Sequence, residues 1–143
     1  MKKVFKSFLA IAIIGAVTTV TSCTKTCDPG YEGDDCKTEI RAKFIGQYAG
    51  PETCTVGTDN YTITVGRSST DALKITFANV YNQAYTAVAT VDGSSFTVET
   101  QNVATDVTVA GTGTLSGNTL TFTYTIVTVG AASNTCTFVG TKL

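Results

Sequence analysis

The side chains of this chain that can do chemistry are five cysteines, eleven carboxylates and six tyrosines, with no histidine and no tryptophan. Without imidazole, neither a histidine-assisted nucleophile nor a histidine-containing metal site can be built. Cysteine is therefore the versatile group, as nucleophile, acylation point or half of a disulfide. After Cys23 come four more, Cys27, Cys36, Cys54 and Cys136. An even set of this kind suits an oxidising compartment in which they pair with one another, and four cysteines allow three pairings. The carboxylates Glu52, Asp59, Asp71, Asp92, Glu99 and Asp106 fall mostly in turns or on a threonine-rich face, so no acid–base pair is expected to converge. The segment Gly111-Thr112-Gly113-Thr114-Leu115-Ser116-Gly117 has neither dinucleotide-binding nor P-loop glycine spacing, and a strand follows it instead of a helix. An enzyme, a cofactor and a metal site are all unexpected.

The first 23 residues, MKKVFKSFLAIAIIGAVTTVTSC, decide topology. Lys2, Lys3 and Lys6 make a positive start, and Phe8 to Val17 make an apolar run of secretory length. A membrane-spanning anchor needs about 20 apolar residues, and here Thr18, Thr19 and Ser22 interrupt the run. Val20-Thr21-Ser22-Cys23 resembles the lipobox of bacterial lipoprotein signals; an ordinary secretory signal and an uncleaved anchor are the competing readings. The resemblance implies cleavage before Cys23, a diacylglyceryl group on its sulfur and usually an acyl chain on its amine. Each buried methylene then contributes about 0.8 kcal/mol, and two or three chains make anchorage lasting. Thr24 replaces the aspartate that resembles an inner-membrane retention signal, so an outer-membrane location is expected, facing either the periplasm or the exterior. Loss of residues 1–22 removes three of ten Lys and Arg, leaving seven against eleven carboxylates and a net charge of −4 in place of −1. Nucleic acid is an unsuitable partner for such a surface.

Behind the lipidation site, residues 23–43 form a tether and residues 44–143 a single domain. Residues 27–36, CDPGYEGDDC, look like the last disulfide loop of an EGF-like module, which implies a Cys27–Cys36 bond. Pro29 presets one turn angle, Gly30 and Gly33 permit positive φ, and so short a loop needs its disulfide to fold. The other four EGF cysteines are missing, and Asp28, Glu32, Asp34 and Asp35 read as a solvated acidic rim. This segment is expected to act as a stapled spacer.

From residue 44 onward apolar and polar residues alternate, with threonine dominating the polar positions, as in Leu120-Thr121-Phe122-Thr123-Tyr124-Thr125-Ile126. That period means half-buried antiparallel strands. Turn residues divide the region into eight strands near 44–56, 61–66, 72–79, 85–91, 96–101, 106–115, 119–129 and 134–142. One helical turn over Thr38 to Phe44 would place Ile40 and Phe44 against the base. With Cys54 late in the first strand and Cys136 early in the last, pairing them sets residue 48 opposite residue 142 and closes the sheet. The spacing therefore predicts a Cys54–Cys136 disulfide. The fold class is all-β, an eight-stranded antiparallel up-and-down barrel with an N-terminal signal helix and a short disulfide hairpin. Phe44-Ile45-Gly46-Gln47-Tyr48 is similar to the opening of lipocalin-like and calycin-like barrels of small bacterial lipoproteins.

Alternate loops of a meander share one end. The tethered chain enters with the turns near 67–71, 92–94 and 116–118, so the distal mouth carries loops near 57–60, 80–84, 102–105 and 130–134. Asp59, Asn60, Tyr81, Asn82, Gln83, Gln101, Asn102 and Asn134 fall there, with Tyr85 just inside. Amides beside tyrosines suit a small molecule, a glycan or a protein surface, although Tyr81 and Tyr85 could equally cap the core. The expected function is a lipid-anchored envelope protein whose barrel serves structural or recognition work without catalysis. A lipocalin-like carrier of a small apolar ligand and a protease inhibitor are the alternatives.

Overall fold

The structure is a computed structural model that describes residues 26–143; the segment read as a signal, with Cys23, lies outside the described residues. Threonine alternating with aromatic and β-branched residues produces ten strands. A two-stranded hairpin, β1 (Tyr31–Glu32) and β2 (Thr38–Glu39), precedes a 3₁₀ turn at Ile40–Phe44. The barrel strands follow: β3 (Gly46–Cys54), β4 (Gly57–Arg67), β5 (Lys74–Val80), β6 (Tyr85–Asp92), β7 (Ser95–Ala104), β8 (Val107–Ser116), β9 (Thr119–Thr128) and β10 (Asn134–Lys142). They close in the order β10-β3-β4-β5-β6-β7-β8-β9. The closing pair sets Cys136 opposite Cys54 and Lys142 opposite Tyr48, and no barrel strand is left as an edge. Two disulfides join Cys27 to Cys36 and Cys54 to Cys136.

Two strand boundaries differ from expectation in ways that move candidate residues. The first hairpin turns within Thr55–Val56, because Gly57 adopts φ +155° and pairs directly with Cys54. β4 thus begins at Gly57, and Asp59 and Asn60 belong to a strand instead of a loop. β7 runs on to Ala104 through register shifts between Val98 and Gln101 and between Asn102 and Ala104. Gln101 and Asn102 are strand residues too.

The inward face of the barrel is filled. Tyr48, Ile63, Ile75, Phe77, Phe122 and Phe138 are fully buried. Phe77 stacks on Phe122 at 5.2 Å, and Phe96 packs against both at 4.9 and 5.4 Å. Glycine makes room for these rings: a Cβ on Gly113 would enter the Phe96 ring, and one on Gly140 would enter that of Phe138. The glycine-rich stretch of β8 is therefore a thinned wall beside an aromatic core. Outside, threonine hydroxyls face one another across β9 and β10, Thr123 to Thr137 at 3.2 Å and Thr125 to Thr135 at 3.3 Å.

The 3₁₀ turn plugs the base, with Phe44 buried edge-on to Phe96 at 6.0 Å and Ile40 packed against the core. Arg41, 8% exposed, donates from one guanidinium nitrogen to the carbonyls of Ser68, Asp71 and Lys74 at 2.9, 2.7 and 3.1 Å. The disulfide hairpin docks on the same end: Ile40 N–H donates to the Gly30 carbonyl at 2.9 Å, and Gly30 lies against Ala72. Its acidic side chains stay exposed, Glu32 reaching Lys43 at 3.6 Å.

Candidate functional site

β3 carries an acid into the barrel. Strand residues two apart share a face, so Tyr48, Gly50, Glu52 and Cys54 look inward together, and Glu52 is 2% exposed. A buried carboxylate is costly unless donors surround it. Tyr61 of β4 donates to Glu52 Oε1 at 2.7 Å, and Tyr124 of β9 donates to the same oxygen. Burial raises the pKa of both phenols, and the hydrogen bond to the Glu52 carboxylate raises them further. Both hydroxyls therefore stay protonated and keep donating. The Tyr81 backbone N–H donates to the Tyr61 hydroxyl at 3.1 Å, which ties the β5–β6 loop to this network.

The other oxygen, Oε2, has no donor among the described residues. Its neighbour is Cys54 Sγ at 3.5 Å, and a disulfide sulfur has no hydrogen to donate. Among the described residues, no ion pair reaches Glu52. Cys54, Cys136 and Glu52 bring their donor atoms within 4.8 Å of one another. The disulfide takes both sulfurs out of any ligand set, since thiolate is the metal-binding form.

The end of β5 and the β5–β6 loop roof the site in an unusual backbone conformation. Asn79, Tyr81 and Asn82 adopt φ of +68°, +60° and +48°. Asparagine tolerates this region, whereas tyrosine is held there against a cost of about 1 kcal/mol or more. The roof is pinned from the strand and from the loop: Asn79 Nδ2 donates to the Thr62 carbonyl at 2.9 Å, and Asn82 Nδ2 to Asp59 Oδ2 at 2.6 Å. Tyr81 is thereby positioned so that its hydroxyl accepts from Asn134 Nδ2 at 2.9 Å. Asn134, at the start of β10, is 6% exposed, and its Oδ1 is buried without a partner.

These residues border a cleft of about 250 Å³ in the mouth, with Glu52, Cys54, Asp59, Tyr81, Gln83 and Asn134 in its wall and Val56, 77% exposed, at its rim. Of the sequence candidates, Asp59, Tyr81, Gln83 and Asn134 meet here, and Asn82 acts by holding Asp59. Asn60 lends its N–H to Asp59 Oδ1 at 2.7 Å and is absent from the cleft wall. Tyr85 packs half-buried against the core. Gln101 is placed elsewhere: its amide bonds both the N–H and the carbonyl of Val88 at 2.8 and 2.7 Å on the outer wall. Glu52 corrects the expectation that this acid lies in a turn or on the threonine face, and its even spacing from the inward Tyr48 is the signal that would have found it. No family model, curated protein or solved structure matches this chain.

Proposed function

We propose that the protein is a lipid-anchored component of the bacterial envelope, held in the outer membrane through Cys23, whose barrel recognises a ligand at its distal mouth without catalysis. The disulfide hairpin, similar to the last loop of an EGF-like module, serves as a stapled collar between anchor and barrel. The observation that carries the recognition reading is the polarity of the two ends. The base is plugged by Phe44 and Arg41 where the tether enters, while the mouth holds a cleft with buried polar atoms. The aromatic filling of the interior favours binding at this cleft over carriage of an apolar ligand inside the lipocalin-like wall.

Two measurements test this. Mass spectrometry of the membrane-extracted protein should find a chain beginning at acylated Cys23, and an unmodified amino terminus would refute the anchor. A nuclear magnetic resonance screen of amines, sugars, neutral amides and short peptides should shift Asp59, Gln83 and Asn134 with at least one class. A mouth indifferent to every class would refute recognition there.

A further inference from the structure

Resting on the recognition reading, we infer that the mouth cleft binds an aliphatic ammonium ion carrying a second N–H donor, as an alkyl diamine or a lysine residue does. Among the described residues, two acceptors on side chains that line the cleft are left without donors: Glu52 Oε2, which has only a disulfide sulfur beside it, and the buried Oδ1 of Asn134. The second is independent of the first, on another strand and uncharged. Buried acceptors of this kind are normally satisfied, and each one left bare costs about 1–3 kcal/mol. Tyr81 links the two residues, since its backbone N–H meets the Glu52 network through Tyr61 while its hydroxyl accepts from Asn134.

Charge and shape narrow the class. Glu52 has no cation in an ion pair with it among the described residues, and Asp59 stands in the wall of the same cleft. A carboxylate in a low-dielectric recess favours a cation over a neutral donor. An ammonium group offers three N–H bonds and no acceptor, which fits the two buried unmatched oxygens of Glu52 and Asn134. The exposed Val56 gives an alkyl stem an apolar surface to lie on. The cleft volume of about 250 Å³ is below that of ordinary drug-sized sites, so the ligand or its inserted part is small.

The test is a titration of the full chain, disulfides intact and in detergent micelles, with putrescine, with Nα-acetyl-lysine amide and with butanediol as the neutral counterpart. Saturable binding of either amine, with shifts at Asp59 and the Asn134 side-chain amide, is expected, and the tighter of the two assigns the ligand as a free diamine or a protein lysine. Glu52→Gln should weaken binding at least tenfold. Asn134→Asp, which adds a charge without touching Glu52, should strengthen putrescine binding severalfold. Equal binding of butanediol, or unchanged affinity in Glu52→Gln or in Asn134→Asp, would overturn the inference. If sugars or neutral amides shift the mouth while no amine does, the ammonium ligand is refuted and the recognition site stands.

Discussion

Among the described residues, Glu52 accepts two phenolic hydrogen bonds on one oxygen and none on the other. For stability alone, the amide of the same shape would serve better. Glutamine at this position would still offer a carbonyl oxygen to Tyr61 and Tyr124, and it would carry no charge to desolvate. The unliganded Glu52→Gln protein is therefore expected to be more stable than the parent by about 1 kcal/mol, measured by denaturant unfolding with an unchanged slope. The same substitution is expected to weaken ligand binding, and opposite signs in the two assays are what a binding residue should give. A carboxylate retained for the fold would instead lose stability in both phenol bonds at once. Tyr81 is a comparable case, an L-residue held at φ +60° in a loop where glycine would be relaxed. Its side chain and its backbone are both engaged at the mouth.

Among elements, the base cap has the clearest pH signature. Glu39 at the end of β2 accepts from Arg41 at 3.0 Å and from Arg67 at 2.8 Å, so it joins the hairpin to the 3₁₀ turn and to β4. Those two hydrogen bonds, Arg41 first, lower its pKa to about 2. A carboxyl whose folded pKa lies below its unfolded value binds fewer protons when folded. Its stabilising contribution is thus complete above the unfolded value near 4.5 and is lost as pH falls towards 2. Stability measured from pH 6 down to pH 2 should decline more shallowly in Glu39→Gln than in the parent, and parallel acid limbs would contradict this account. The strands themselves were legible because threonine alternation is a strong period, and the pairing of Cys54 with Cys136 pinned the register of the seam. Parity along β3 contained the inward position of Glu52, but the charge of the residue concealed it. The bulge in β7 had no such trace. It shifts the pairing between Val98 and Gln101, and the Gln101 amide then replaces the missing ladder to Val88. A side chain that imitates a peptide group has no periodic signature in a sequence.

For the whole molecule, closure is the property on which the mouth depends, because Glu52 and Asn134 come from the two strands of the seam, β3 and β10, and Tyr124 from β9 beside β10. β3 and β10 are the first and last barrel strands, so the unfolded chain must bring together residues separated by 82 positions before the barrel can shut. In the chain-entropy view, a bond across that span restrains the unfolded state by about 4–5 kcal/mol, against about 2–3 for the nine-position loop at Cys27–Cys36. The locations widen the difference. The long bond lies within the closing ladder, with Cys136 fully buried, whereas the short one staples an exposed hairpin that touches the barrel only at its base. Replacing Cys54 and Cys136 with alanine should therefore lower the barrel's melting temperature substantially and abolish the mouth's ligand response, since the wall beside Glu52 is no longer tied. Replacing Cys27 and Cys36 should leave both nearly unchanged while speeding hydrogen exchange at the Tyr31 and Ile40 amides, whose acceptors lie in the hairpin. Equal losses from the two double variants would mean that the collar and the barrel unfold as one unit, and the mouth would then owe its geometry to the tether as much as to the seam.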